Sequence, residues 1–283
     1  MNELVEWLVS EIAKRKKSIL VIGDTMIDRW VHGHTTQCQD GCTKFMQDSV
    51  VDTPGGAWNA EHCLVNWGVR TALYGFAQND CPIKSRYVDE NNRIVFRADD
   101  DGPVLRGVGY EWSRKLALEM IPFSMGVLLS DYDKGFLTPN FIRQTLELCH
   151  NLSIPCVADC KRQPEVYLGC ILKINDDWWN HYGDYFTTDE SIKVNTVLTR
   201  GGMPPVVNGG HSQNLDKVKL VNHVGAGDCF SAHLTLALAC GFSLEDAAAL
   251  AHSAGRVYVQ HPHNRSPYPH EIAADMVSAV VGV

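Results

Sequence analysis

Short apolar, β-prone runs alternate with stretches of helical periodicity along most of this chain, and that alternation limits the possible folds more than any other feature. Ser18 to Ile22, Thr71 to Phe76, Val127 to Leu129, Cys156 to Asp159, Ile171 to Asn175 and Thr196 to Thr199 each read as a strand. A strand apolar on both faces belongs inside a sheet covered on both sides. Between these runs, Ala57 to Trp67, Tyr110 to Met120, Pro139 to His150, Ala226 to Cys240 and Leu244 to Val259 carry helical spacing. An N-terminal helix is expected from Leu4, Leu8 and Ile12, closed by Lys14 to Lys17 where a helix end favours cations. Strands joined through helices are βαβ crossovers, so the expected class is α/β, a three-layer, mostly parallel sheet flanked by helices. Ligands then sit at the C-terminal ends of the strands.

Two stretches fit this scheme poorly. Arg29 to Asp52 is polar with scattered β-branched residues, and Arg93 to Arg97, within Arg86 to Asp101, has a strand pattern. A small β lid beside the main sheet is expected from segments of about 29–52 and 84–101, within one domain spanning 1–283. No internal repeat interrupts it.

Composition removes several functions. The 283 residues are 45% hydrophobic and 20% charged, which excludes wholesale disorder. Twenty-five Lys and Arg against thirty-three Asp and Glu leave a formal charge of −8, which argues against a broad nucleic-acid surface. Any anionic ligand must therefore meet a local site. No apolar run reaches membrane-spanning length. The ten cysteines include no Cys-x-x-Cys, and Cys38/Cys42 and Cys156/Cys160 lack histidines placed like zinc ligands. A reducing cytoplasm is the expected setting.

The motif richest in chemistry is Val224-Gly225-Ala226-Gly227-Asp228, which opens an apolar helix. Glycines at a helix start aim free backbone N–H groups outward, and with the helix dipole these make an anion site into which a phosphoryl group fits. Asp228 adds a carboxylate able to take a proton from a hydroxyl, although an acid there also simply favours the first helical turn. Pro54-Gly55-Gly56-Ala57-Trp58-Asn59 opens another helix, where a ligand could lie against the backbone and Asn59 offers both donor and acceptor; most Gly-Gly pairs are only turns. Gly23-Asp24-Thr25-Met26-Ile27-Asp28-Arg29 is read as a loop after the first strand, with Asp28 either a partner for sugar hydroxyls or a loop-capping acid. Walker A and Rossmann fingerprints are absent.

The early Gly-Asp-x-x-x-Asp, the Gly-Gly-x-x-x-Asn helix start and the late Gly-Ala-Gly-Asp, in this order, resemble the ribokinase-like (PfkB) carbohydrate kinases. The stretches Gly23 to Trp30, Leu129 to Gly135 and Ala158 to Lys161 look most like the branch acting on D-glycero-β-D-manno-heptose 7-phosphate, and the likeness runs from about residue 18 to 265. The resemblance implies ATP-dependent phosphorylation of a sugar hydroxyl, for this branch the anomeric one, with Mg²⁺ bridging the ATP phosphates. It makes Asp228 the base and gives Gly225, Ala226 and Gly227 to the transferring phosphoryl. Asp28, Gly55, Gly56 and Asn59 would hold the sugar. Lys84, Arg86, Lys134 and Lys161 are candidates for its phosphate, or else solvated surface charge. For the nucleotide the resemblance implies Asn175, Thr199, Gly202 and His252.

Departures from the family pattern are specific. Asn222 stands where relatives usually carry an acid, three residues before Gly225, and Asn175 is followed by Asp176, Asp177 and Trp178 rather than by Asn-x-x-Glu spacing, leaving Asp177 as the substitute metal ligand. The segment after Gly75 is shorter than in typical relatives. The kinase portion is expected alone, without the nucleotidyltransferase domain of some relatives, and as a homodimer joined through lid edge strands. Another acceptor sugar or a nucleoside, or a catalytically weak nucleotide- or sugar-binding homologue, are the competing readings.

Overall fold

The structure is a computed structural model and describes residues 2–101, 110–188, 195–210 and 218–281. Helix α1 (Glu3–Lys14) starts at Asn2, whose side chain accepts from the Leu4 amide at 2.9 Å, and buries Val5, Leu8 and Ile12 on one face. Strand β1 (Ser18–Gly23) follows. It lies between β4 (Thr71–Tyr74) and β7 (Ser124–Ser130), and the sheet continues through β8 (Cys156–Asp159), β9 (Ile171–Asn175), β10 (Thr196–Arg200) and β11 (Met203–Val207). Neighbouring strands pair in parallel from β4 to β10, and only β11 runs antiparallel.

Strand geometry divides the core. Ile19 and Val21 of β1 join one apolar cluster, with Leu8, Leu234 and Leu250, while the alternate residues Leu20 and Ile22 join a second, with Leu129, Ile142 and Trp178. The first face is covered by α1, α2 (Ala57–His62), α6 (Ala226–Cys240), α7 (Leu244–Tyr258) and α8 (Pro269–Val281). The second is covered by α3 (Glu111–Met120), α4 (Pro139–Asn151) and α5 (Asp176–Thr188). Helix α6 lies between the sheet strands β7 and β8 and helix α7, which explains its apolar character all round: it is buried from Asp228 to Cys240 except at Leu238.

A second, four-stranded sheet has the order β3-β2-β5-β6. Strands β2 (Thr25–Gln37) and β3 (Thr43–Gly56) form one long hairpin, paired from Thr25 opposite Gly56 to Gln37 opposite Thr43. Strand β5 (Ile83–Val88) runs parallel to β2 and pairs with β6 (Ile94–Asp100). This sheet takes in both segments set apart in the sequence.

Four local expectations change. The loop expected from Gly23 to Arg29 is strand on either side of Asp24, and Pro54-Gly55-Gly56 ends β3 rather than forming a free turn. The helix expected from Ala57 to Trp67 stops at His62, and Val65–Trp67 is a separate 3₁₀ turn. Side chains from the C-terminal region explain the stop: the Ser266 hydroxyl donates to the Cys63 carbonyl at 2.9 Å, and Asn66 donates to the Ser266 carbonyl at 2.9 Å. The strand expected from Thr71 to Phe76 ends at Tyr74. Helices α5 and α8 were not expected from periodicity.

Candidate active site

Gly225 precedes α6 with φ of 83°, a left-handed conformation that glycine adopts without strain. It also has no room for a side chain, since a Cβ there would lie 2.4 Å from both Asn59 Nδ2 and the Tyr258 hydroxyl. The first helical bond runs from the Cys229 amide to the Gly225 carbonyl at 3.0 Å. Of the amides ahead of Cys229, that of Ala226, expected at the phosphoryl, is already engaged by the His223 carbonyl at 3.3 Å, and those of Gly227 and Asp228 lie in the first turn, where the helix offers them no carbonyl. Residues 224–227 are half-buried, so this end is neither sealed nor fully solvated.

Asp228 is 3% exposed. Its Oδ2 accepts from Asn59 Nδ2 at 3.0 Å, and its Oδ1 accepts from the Tyr132 hydroxyl at 2.5 Å. Burial pushes its carboxyl up to about 6, against the opposing pull of these two hydrogen bonds. Asn59, on the fully buried face of α2, also donates to the Gly225 carbonyl at 3.3 Å. The residue expected to hold a ligand thus also fixes the acid and the turn.

Beneath Gly227 lies a buried ion pair that sequence reasoning missed. Lys173 on β9 and Asp159 on β8 meet at 2.9 Å, and a Cβ on Gly227 would fall 2.9 Å from Lys173 Nζ. The available signal was Lys173 itself, a cation inside the apolar run Ile171 to Asn175.

Asp28, on β2, is buried and accepts from Arg86 of β5 at 2.7 Å. Arg86 also lies 5.2 Å from the Trp30 ring centroid. Arg86 is therefore committed to Asp28. Gly55 leaves space for this pair, because a Cβ would approach Asp28 Oδ2 to 2.8 Å. Gly56 has φ of 57° and packs against the Asp24 carbonyl.

Asp24 is a second missed residue. Its fully buried carboxylate accepts from the backbone amides of Tyr132, Lys134 and Phe136 at 2.8, 3.0 and 3.0 Å, and so shapes the loop after β7. Burial raises its carboxyl to about 6. That loop presents Tyr132, over whose ring Lys84 of β5 and Lys161 beyond β8 stand at 4.5 and 5.4 Å from the centroid. Burial lowers the Lys84 ammonium from its ordinary value. Lys134 reaches out to Asp101 at 2.5 Å instead.

Three of the residues expected around a nucleotide, Asn175, Thr199 and Gly202, lie at the far strands of the main sheet. Asn175 and Thr199 are register partners at the ends of β9 and β10. Asn175 caps α5 by accepting from the Trp178 amide at 2.9 Å, and the Thr199 hydroxyl donates to the Ile174 carbonyl at 3.0 Å. Gly202, in the turn to β11, has open space around it. His252 is buried in α7, burial pushes its imidazole down to about 4, and its Nε2 has no hydrogen-bond partner. Asp177 is exposed in the first turn of α5. Among the described residues the one convergent trio of possible metal ligands is Cys38, Asp40 and Cys42, at the tip of the β2–β3 hairpin rather than here. Asn222 stabilises the turn by accepting from the Val224 amide at 3.0 Å.

This architecture is similar in fold to solved ribokinases. Arabidopsis thaliana ribokinase, solved with ribose and ATP, superposes with a TM-score of 0.69 at 14% identity, covering 93% of this chain and 99% of that one. A putative ribokinase from Agrobacterium tumefaciens gives 0.72 at 16% identity, covering 94% and 99%. At such identities the likeness fixes the fold. Residues 192–271, which contain the Gly225 turn and Asp228, match the model of the pfkB family carbohydrate kinases. The protein named bifunctional protein HldE in Hyphomonas neptunium is 26% identical over 94% of this chain and 65% of its own length. The one from Geobacter metallireducens is 25% identical over 93% and 63%. The chain thus spans less than two thirds of these relatives.

Proposed function

We propose that the protein is an ATP-dependent sugar kinase that phosphorylates the anomeric hydroxyl of a heptose 7-phosphate. One observation carries the reading: a buried carboxylate, Asp228, already hydrogen-bonded to a hydroxyl, stands in the first turn of a helix whose open amides and glycine turn suit a phosphoryl group. In the reaction Asp228 takes the proton of the acceptor hydroxyl as its oxygen bonds to phosphorus and the bond to the ADP oxygen breaks. The amides around Gly227 meet the charge on the transferring group, with Lys173 beside them. Asn59 keeps the carboxylate aimed. Mg²⁺ would supply charge neutralisation, with Asp177 as the protein carboxylate that would help hold it.

Asp28, Gly55 and Gly56 face the sugar in this reading, Lys84 and Lys161 its phosphate, and Asn175, Thr199, Gly202 and His252 the nucleotide. The four-stranded sheet acts as a lid that excludes water. Its outer strands expose Met46, Val50, Val51, Ile94, Val95 and Phe96, which supports a homodimer through the lid. A cytoplasmic setting is supported by ten cysteines in the thiol state, and no helix among the described residues is long and apolar enough to cross a membrane. A second acceptor class is favoured by one observation: Arg86 and Lys134 already pair with Asp28 and Asp101, as suits an unphosphorylated sugar.

The test is ADP release across a panel of sugars and sugar phosphates, with Asp228→Asn alongside. The expected result is heptose 7-phosphate preference and loss of turnover of about 10²-fold or more in the variant, with ATP binding retained. Preference for an unphosphorylated sugar rejects the heptose phosphate acceptor. Full activity in the variant rejects the assignment of the base.

A further inference from the structure

We infer that Tyr132 is a positioning residue for the base, whose hydroxyl holds the place on Asp228 Oδ1 that an acceptor hydroxyl takes and gives it up when an anion draws Lys84 and Lys161 from its ring. The inference rests on the kinase reading of the same site.

The first support is the match in chemistry. An acceptor hydroxyl must donate a hydrogen bond to the base before its proton is transferred, and the Tyr132 hydroxyl does that now at 2.5 Å. The other oxygen of Asp228 is held by Asn59 at 3.0 Å. With 3% of Asp228 exposed, an incoming hydroxyl reaches Oδ1 by displacing the phenol. Tyr132 itself stays a donor: burial and the charges of Asp228, Asp159 and Asp28 hold its phenol well above the ordinary tyrosine range.

The second support is the pair of cations. Lys84 comes from the four-stranded sheet and Lys161 from beyond β8 of the main sheet, yet both stand over one aromatic ring. Two like charges repel, and a phosphate oxygen is a stronger partner for an ammonium than a π face. An anion arriving between them removes the contacts that keep the phenol over Asp228. The backbone need not follow, because the Tyr132 amide is tied to Asp24 at 2.8 Å, so release is a side-chain rotation.

Several groups face Asp228 and set its titration together with Tyr132. They are Asn59 and Cys63 from the α2 segment, Asp28 from β2, Lys84 from β5, Asp159 from β8 with Lys173 from β9 behind it, and Tyr258 from α7. Tyr132→Phe keeps the ring under the lysines and removes only the hydroxyl.

Full-length protein carrying 3-fluorotyrosine tests the contact without turnover. The ¹⁹F resonance missing from Tyr132→Phe identifies Tyr132, and it is expected to shift in Asp228→Asn and on addition of inorganic phosphate. In kinetics, Tyr132→Phe is expected to lower KM for the acceptor about tenfold with kcat changed much less, since a displaced hydrogen bond to a charged group no longer opposes binding. The acid limb of kcat/KM should rise, because a bond favouring the carboxylate is gone. A purely structural tyrosine would lower kcat, leave that limb in place and give a resonance indifferent to Asp228→Asn. That outcome overturns the inference. If the resonance responds but wild-type protein phosphorylates no sugar, the kinase reading fails and the Tyr132–Asp228 contact stands.

Discussion

Lys173 Nζ lies 2.9 Å from Asp159 Oδ2, both side chains 4% exposed, and the pair supports the floor of the glycine turn from two adjacent strands of the sheet. Such a pair is costly to break from one side, because the remaining charge is left buried without a partner. Lys173→Met is expected to lower stability by about 3–5 kcal/mol, read as the midpoint of urea unfolding. The double change Lys173→Met with Asp159→Asn should recover part of that loss. If the single variant unfolds at the wild-type midpoint, the pair does not carry the role its burial suggests.

Gly225→Ala places a Cβ in a left-handed backbone position and against Asn59 and Tyr258. The backbone strain alone costs about 1–3 kcal/mol, and the displaced Asn59 amide no longer aims Asp228. Activity should therefore fall further than stability explains. A thermal melt beside initial rates separates the two. Gly227→Ala has an ordinary helical backbone and crowds only the end of the flexible Lys173 side chain, with Asp159 Oδ2 at ordinary contact distance, so it should leave the melting temperature nearly unchanged while weakening ADP binding, as calorimetry would show.

Burial raises the Asp228 carboxyl to about 6, and a base works only when deprotonated. Turnover is therefore expected to be full above pH 7 and to fall as pH drops through about 6. The linkage sign follows: the folded state binds this proton more tightly than the unfolded chain, so the contribution of this group to stability is largest at low pH and is lost as pH rises through about 6. An acid limb near the ordinary aspartate range would place the base elsewhere.

Exposed apolar side chains on β3 and β6 predict self-association through the four-stranded sheet. Phe96, at 60% exposure, and Val50, at 43%, are suited to probing it. Val50→Asp with Phe96→Asp should convert a dimer to monomer in native mass measurement without altering the far-UV spectrum. A wild-type protein that is monomeric at micromolar concentration removes the prediction.

The main sheet was legible because its strands are apolar on both faces and its helices periodic; Ser18 to Ile22 needed one added residue to match β1. The long hairpin was less legible. Its tip strands are solvent-exposed on both sides, so no alternation marks their length, and β2 begins one residue past β1 with no turn chemistry between them. The glycine turn and Asp228 could be found from spacing and residue type alone. Tyr132, Asp24 and Asp159 could not, since each reaches the site through tertiary hydrogen bonds from a separate strand end. Arg86 was visible as a cation, but only the fold shows that Asp28 claims it.

The β2–β3 hairpin departs from the main body at Asp24 and rejoins it at Ala57, and each seam is flanked by residues proposed to contact the sugar. In the kinase reading, the attachment of the proposed lid and the residues proposed to select the sugar are therefore one stretch of polypeptide. On that reading, exchanging residues 25–56 as a cassette would retune in one step both which molecule is admitted and how the proposed gate shuts behind it.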